Sequence, residues 1–205
     1  MITEASASPA AAKPCPRRGD ALLLIDMQND FLPGGSLAVP SGDEIIPVLN
    51  RYIAVFRKES LPIYATRDWH PEDHCSFLAQ GGIWPPHCVA DSHGAKFAPA
   101  LDLPDYAVVV SKAASREADA YSGFEGTDLE RHLRQSGISR LFIGGLATDY
   151  CVLSTVLDAL SKNFVVMLLL DGIRAVDVKP DDGRRAIEAM TARGAQPIRF
   201  EEMAS

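Results

Sequence analysis

The sequence predicts a single α/β domain built on a mainly parallel six-stranded sheet with helices on both faces. Short apolar runs that scarcely alternate recur along the chain, as expected for strands that are covered on both sides. Segments with helical periodicity fill the gaps between these runs, which favours parallel strands joined by helical crossovers. The chain of 205 residues is 47% apolar and 23% charged, as is typical of one medium-sized globular domain.

The six predicted strands share a short, apolar, largely unalternating composition. They lie at Ala21–Ile25, Pro62–Thr66, Tyr106–Ser111, Leu141–Gly144, Phe164–Leu170 and Pro197–Phe200.

Four helices are predicted between or after these strands. The first presents its apolar face over residues 45–56, with Pro47 near the first turn, where proline is tolerated. Thr127 and Glu130 have the spacing of a capping box for the second. Cys151–Leu160 is apolar nearly all round, which predicts a buried third helix, and Asp182–Arg193 forms the fourth.

The composition also narrows the class of protein. Residues 1–19, rich in Ala, Ser and Pro, predict a disordered leader ahead of a domain over 20–205; organelle targeting is a weaker alternative. A net charge of −7 argues against nucleic acid or an anionic membrane as partner, and the apolar runs are too short to span a bilayer. Four cysteines in a chain of this size indicate reduced thiols in the cytoplasm rather than a disulfide scaffold.

Three chemically active side chains follow predicted strands. Asp26 comes directly after four aliphatic residues, which should raise the proton affinity of its carboxylate. Lys112 directly follows another predicted strand, and Cys151 lies in the first turn of a helix, where backbone N–H groups should lower the pKa of the thiol. Together they suggest a nucleophile with its proton-transfer group. Alone, Asp26 could cap a turn, and Lys112 could pair with it, hold a thiolate or be solvated.

A second group of side chains suggests a metal site. Asp68 and His70 are two residues apart on an extended segment and so face the same side, and His87 adds a third ligand from a proline-stiffened loop. One carboxylate and two imidazoles suit a single divalent Zn, Fe or Mn ion with open positions. Two alternatives stay open: a Cys/His structural zinc site that uses Cys75 and Cys88, and polar loop residues without any ion.

The remaining candidates surround the thiol. The segment Gly144-Gly145-Leu146-Ala147-Thr148-Asp149 is predicted to form a turn into a helix with Thr148 as the N-cap, and the backbone N–H groups of Ala147 and Cys151 could form an oxyanion hole. The aromatic residues of the same loops could enclose a planar ligand or simply pack in the core. They are Phe31, Trp84 and Tyr121.

With these residues the chain resembles the nicotinamidases of the isochorismatase-like cysteine hydrolase superfamily, over residues 20 to about 200. The resemblance is carried by several motifs in the same order along the chain. They are Leu-Ile-Asp-Met-Gln-Asn-Asp-Phe-Leu-Pro-Gly-Gly-Ser-Leu-Ala-Val (24–39), Asp-Trp-His-Pro (68–71), Trp-Pro-Pro-His-Cys (84–88), Tyr-Ser-Gly-Phe-Glu-Gly (121–126) and Gly-Leu-Ala-Thr-Asp-Tyr-Cys-Val (145–152).

The resemblance implies an Asp-Lys-Cys triad of Asp26, Lys112 and Cys151, with Asp68, His70 and His87 as metal ligands. It implies a cis peptide between Leu146 and Ala147, and a nicotinamide pocket formed by six residues. These are Phe31, Leu37, Trp84, Tyr121, Leu146 and Ala147.

Two positions qualify this resemblance. His74 matches a histidine whose role as a ligand varies in the family, and Tyr150 stands where some members carry His, so the rim of the pocket could differ.

The activity implied is hydrolysis of nicotinamide to nicotinate and ammonia through a thioester, in NAD salvage, with pyrazinamide as a second substrate. The main alternative is a sister amidase that acts on another small amide. A two-histidine, one-carboxylate iron oxygenase would leave Cys151 and Lys112 without a role, and a non-catalytic binding module would be expected to have lost them. Assembly as a homo-oligomer stays open.

Overall fold

The computed structural model describes residues 14–203, and within them a six-stranded sheet in which every pairing is parallel. The strands are β1 (Asp20–Ile25), β2 (Ile63–Asp68), β3 (Val108–Lys112), β4 (Arg140–Leu146), β5 (Val165–Arg174) and β6 (Gln196–Ile198). Their order across the sheet is β3-β2-β1-β4-β5-β6. The predicted fold class is therefore confirmed.

Among residues 14–203, four α-helices accompany the sheet, close to where periodicity predicts them: α1 (Ile46–Lys58), α2 (Leu129–Gln135), α3 (Leu153–Ser161) and α4 (Asp182–Ala192). The predicted capping box is wrong, because α2 begins at Leu129 and Thr127 lies too far upstream. The Thr127 hydroxyl instead accepts the Leu129 N–H at 3.2 Å and donates to the Gly123 carbonyl at 2.6 Å.

The start of the third helix also differs from the prediction. A π-helical turn at Thr148–Val152 precedes α3, and Ala147 rather than Thr148 is its N-cap. Cys151 therefore lies in that turn, upstream of the regular helix.

The two faces of the sheet are covered by different helices. Leu22 and Leu24 of β1 belong to the core cluster that contains the buried face of α1. Leu23 and Ile25 belong to the cluster on the opposite face, with buried residues of α2, α3 and α4. All four residues are fully buried, which explains why β1 reads as an unbroken apolar run.

The N-terminal segment is only partly covered by the structure. Residues 1–13 of the predicted leader lie outside the described residues. Residues 14–19, which were predicted to be disordered, contact the domain: Arg140 donates to the Cys15 carbonyl at 3.0 Å, and the Arg17 N–H donates to Asp20 at 2.7 Å. Within residues 14–203, no helix has the length and apolar character needed to cross a bilayer.

Candidate functional site

The candidate site lies where four neighbouring strands end. Asp26 directly follows β1, Asp68 and Lys112 are the last residues of β2 and β3, and Cys151 follows β4. Strand order places β1 and β4 side by side at the point where the crossovers change direction. Such a switch point opens a crevice at the carboxyl edge of a parallel sheet, and it brings together the three residues predicted from strand ends.

Lys112 is the centre of this group. Its ammonium lies 3.0 Å from Asp26 Oδ2, contacts Asp68 Oδ1, donates to the Ala120 carbonyl at 3.2 Å and lies 3.4 Å from Cys151 Sγ. Burial alone would lower the pKa of Lys112, but the two carboxylates raise it well above its usual range. The ammonium therefore stays charged although the side chain is buried.

The Cys151 thiol differs from its prediction. Burial raises its pKa well above the ordinary value, and although Lys112 opposes this effect, Asp26 and Asp68 add to it. The prediction of a lowered pKa was wrong, because the benefit of a helix start is outweighed by desolvation beside two carboxylates. The resting thiol is protonated, so any nucleophilic role requires a base next to it.

Asp26 has the properties of such a base. Burial raises the pKa of its carboxyl group, and Lys112 only partly counters this effect, which agrees with the prediction for a strand-ending aspartate. The carboxylate accepts a 2.6 Å hydrogen bond from the Thr66 hydroxyl. Thr66 was not predicted, and its position inside an apolar strand gave little signal for this contact.

The three predicted metal ligands meet on the other side of Asp68. One donor atom from each of Asp68, His70 and His87 lies within 4.8 Å of the others. His70 Nδ1 lies 3.1 Å from the Ala113 carbonyl and His87 Nδ1 lies 2.8 Å from the Pro85 carbonyl. Because a carbonyl can only accept, each Nδ1 carries a proton, so in the neutral form of each imidazole Nε2 has the lone pair that can bind an ion.

One atom of this set is an unexplained buried polar group. His70 Nε2 is buried without a hydrogen-bond partner and lies 3.7 Å from Asp68 Oδ2. Buried polar atoms are nearly always partnered, so an orphan aimed at a carboxylate suits two ligands of one cation. Burial also lowers the pKa of His87, which favours the neutral imidazole that binds metals. The residues fit a divalent ion.

His74 and the two cysteines of the long loop, Cys75 and Cys88, contribute differently. His74 stacks on His70 with ring centroids 4.2 Å apart. Its nitrogens lie 2.8 Å from the Ser76 hydroxyl and 3.2 Å from the Ala118 carbonyl, so the His74 ring is held in place against the ring of His70. Among the described residues, neither Cys75 nor Cys88 belongs to a metal-type cluster, which argues against the structural zinc alternative.

A pocket opens between the thiol and the metal-type cluster, with about 490 Å³ of space including its open mouth. Within it, the space open to the centre of a water molecule is about 60 Å³. Five of the six predicted pocket residues border it: Phe31, Leu37, Trp84, Tyr121 and Ala147. Further lining residues are Ala38, Val39, Asp68, His87, Tyr150, Cys151 and Val176.

Leu146 is the sixth predicted pocket residue, and its placement differs. Its side chain is fully buried in the core cluster on the α1 face and does not line the pocket, because it points into the packed layer beside Gly42. The Leu146–Ala147 peptide bond is cis, as the resemblance implies.

Three aromatic residues form one wall of the pocket. The Trp84 indole N–H donates to the Tyr121 hydroxyl at 3.0 Å, and both rings contact Tyr150, with centroids 5.4 and 5.8 Å away. The sequence indicates Tyr150 only as a difference at the rim of the pocket. Because Tyr150 is next to Cys151 in the chain, a place in the pocket lining could have been predicted for it. Nothing in the sequence around Val176, in the loop after β5, indicates such a place.

The parallel sheet, the side chains clustered at its strand ends and the pocket are features of an α/β protein, and sequence comparison identifies its family. The model of the isochorismatase domain matches residues 20–202, so the chain belongs to the isochorismatase family. It is 41% identical over 196 residues to the nicotinamidase of Escherichia coli, covering 85% of this chain and 92% of that one.

Two solved structures are also similar. Pyrazinamidase of Pyrococcus horikoshii in complex with zinc is 51% identical, with a TM-score of 0.85 and coverage of 89% of this chain and 99% of that one. A protein of L. infantum in complex with nicotinate is 34% identical, with a TM-score of 0.86 and coverage of 94% and 98%.

Proposed function

We propose that this protein is an amide hydrolase that converts nicotinamide to nicotinate and ammonia, with Cys151 as nucleophile. The observation that carries the proposal is that one pocket is bordered both by Cys151, from the Asp-Lys-Cys group, and by Asp68 and His87, from the metal-type cluster. A thiol with a neighbouring base suits acyl transfer. The E. coli nicotinamidase, the P. horikoshii pyrazinamidase and the nicotinate complex support the same reaction.

The pocket suits a flat ring that bears a carboxamide. Phe31 and the aromatic wall of Trp84, Tyr121 and Tyr150 provide apolar and edge contacts to such a ring. Nicotinamide has this shape and a ring nitrogen that can face the metal-type cluster while its carboxamide faces the thiol. Pyrazinamide keeps both features and is expected to be a second substrate.

The first chemical step is the attack of Cys151 on the carboxamide. Asp26 takes the thiol proton, and the thiolate sulfur forms a bond to the carboxamide carbon, giving a tetrahedral intermediate. The backbone N–H groups of Ala147 and Cys151 are assigned to the oxygen anion, and each such donor is worth about 3 kcal/mol in acyl-transfer enzymes. Asp26 then returns the proton to nitrogen, the C–N bond breaks and ammonia leaves.

The second step releases the product. Asp26 takes a proton from water, and the resulting hydroxide oxygen forms a bond to the thioester carbon. The C–S bond breaks, the product leaves as nicotinic acid, which ionises to nicotinate in water, and the thiolate takes the proton back from Asp26. Lys112 contacts Asp26, Asp68 and Cys151, and so provides a fixed positive charge to whichever of these groups is ionised.

Asp68, His70 and His87 are proposed to hold the divalent ion. When bound, the ion supplies a Lewis acid for the ring nitrogen of the substrate. The same ligands suit Zn, Fe and Mn, and the zinc of the P. horikoshii structure makes zinc the first ion to test.

We assign the reaction to NAD salvage in the cytoplasm. Nicotinamide is the carboxamide part of the cofactor, and its hydrolysis yields the free pyridine acid for reuse.

The decisive experiment is ammonia release from nicotinamide by the purified protein, before chelation, after it, and after adding back Zn, Fe or Mn. Activity that is lost on chelation and restored by an ion supports both halves of the site. If no ion gives ammonia release, nicotinamide is excluded as substrate, and a panel of other small amides and carbamoyl compounds tests the sister-amidase alternative.

A further inference from the structure

Gln28 is a buried polar residue that no step of the proposed mechanism uses. It lies two residues after Asp26, at the point where the chain leaves β1. The Asp26 N–H still donates to the Thr66 carbonyl at 3.2 Å, but Asp26 has a positive φ of 48°, and the backbone then turns away from β2. Asp68, two residues beyond Thr66, is thus left without main-chain pairing from the β1 side.

The Gln28 side chain replaces that pairing. Its Nε2 donates to the Asp68 carbonyl at 2.8 Å, and its Oε1 accepts the Asp68 N–H at 2.7 Å. The second Nε2 hydrogen is donated to the Ala95 carbonyl at 2.9 Å. Because both donor hydrogens and the acceptor are engaged in a fully buried place, the amide has one possible orientation.

Gln28 therefore ties three parts of the site together. Its own backbone forms an antiparallel bridge with Phe97, on the loop that carries His87. Its side chain fixes the backbone of Asp68. Its own backbone is held next to Asp26 by the 2.8 Å hydrogen bond from the Gln28 N–H to the Asp26 carbonyl.

The position of Asp68 has to be accurate because its two carboxylate oxygens serve different groups. Oδ1 contacts the Lys112 ammonium, while Oδ2 faces the unpartnered His70 Nε2 at 3.7 Å. A shift of the backbone that improves one contact weakens the other. Main-chain pairing to β3 holds Asp68 on one side only, in register with Lys112.

We propose that Gln28 is a positioning residue, which holds Asp68 so that one carboxylate serves the metal and the Lys112 ammonium at once. The inference rests on the proposed function, but zinc affinity, the first quantity to be measured, can be determined without substrate. It predicts that Gln28 sets both the affinity for the ion and the rate of the chemical step.

The test compares Gln28→Met with Asn50→Leu. Met fills nearly the same volume as Gln but cannot hydrogen-bond. Asn50 is a matched control, because its side-chain amide also clamps a loop backbone, donating to the Ala100 carbonyl at 2.8 Å and accepting the Asp102 N–H at 2.9 Å, outside the pocket. Zinc affinity is measured on the metal-free proteins by competition with a chromophoric chelator, and kcat and KM for nicotinamide at saturating zinc.

Gln28→Met is expected to weaken zinc binding by about 10–100-fold, as is usual when support of a metal ligand is lost. It should also lower kcat at saturating zinc more than it raises KM. Asn50→Leu is expected to leave both quantities within a few-fold of the unmodified protein, even if it lowers the melting temperature. Unchanged zinc affinity and kcat in a folded Gln28→Met protein would overturn the proposal.

Gln28→Asn serves if the Met variant does not fold. It keeps the amide but retracts it by one methylene, so it cannot reach both Asp68 and Ala95, and weaker zinc binding is again expected. Zinc affinity as tight as in the unmodified protein would refute the positioning role. Zinc binding without nicotinamide hydrolysis in the unmodified protein would instead refute the proposed function, so the two failures are distinguishable.

Discussion

Replacing Lys112 by Met tests whether the buried charge cluster is organised as described. Met has a similar length and no charge, so the change leaves the carboxylates of Asp26 and Asp68 buried without their shared cation. Removing one partner of a buried ion pair costs about 3–5 kcal/mol. For a domain of this size that corresponds to a melting temperature lower by about 6–20 °C.

The loss of stability caused by Lys112→Met should depend on pH in a defined direction. In the unmodified protein, Lys112 lowers the pKa of Asp68 despite burial, and it limits the rise in the pKa of Asp26 that burial causes. Without the ammonium, burial holds both pKa values above those of the unfolded chain. Such groups destabilise the folded state increasingly as pH rises above the ordinary value of about 4. The drop in stability of Lys112→Met relative to the unmodified protein should therefore be larger at pH 8 than at pH 5.

The assay is thermal unfolding of metal-free protein at both pH values, with Lys162→Met as the control. Lys162 also pairs with a carboxylate, at 2.9 Å from Glu130, but both side chains are partly exposed. The control should change the melting temperature little at either pH. The reasoning is refuted if Lys112→Met behaves like Lys162→Met, or if its deficit is as large at pH 5 as at pH 8.

Three further substitutions test the parts of the site separately. Cys151→Ala should abolish ammonia release while nicotinamide still binds by calorimetry; more than a trace of release would remove Cys151 as nucleophile. His87→Ala should lose the ion by elemental analysis, and an unchanged metal content would exclude His87 as a ligand. Trp84→Ala removes a ring of the pocket wall together with the 3.0 Å bond to Tyr121. It should raise KM by about 2- to 12-fold, for a contact worth ~0.5–1.5 kcal/mol, and an unchanged KM would place the substrate elsewhere.

The sequence predicted most reliably what the geometry of parallel strands determines. Asp26 and Lys112 were found because the carboxyl ends of neighbouring parallel strands converge, and the buried β1 reads as an unbroken apolar run. Strand geometry does not predict that His87 lies close to Asp68, because His87 is on a long loop. His87 is predicted as a ligand from ligand chemistry and from the family resemblance.

What the sequence could not predict depends on tertiary burial. The pKa of Cys151 was predicted in the wrong direction, because local helix position is visible in a sequence whereas desolvation by the surrounding protein is not. Leu146 was placed in the pocket, but its side chain points into the core. Gln28 reads as one polar residue in a motif, and its contact with Asp68 joins residues 40 positions apart.

The raised pKa values of the base and the nucleophile do not oppose the proposed mechanism, because proton transfer between them creates no new charge. Before transfer the negative charge is on Asp26, 3.0 Å from the Lys112 ammonium; afterwards it is on Cys151, 3.4 Å from the same ammonium. Burial penalises both anions, so the penalty largely cancels when the charge moves from one to the other. The quantity that governs attack is therefore the difference between the two pKa values. A fixed cation in contact with both groups stabilises whichever of them carries the negative charge, so the thiolate that forms is not left as an unpaired buried anion.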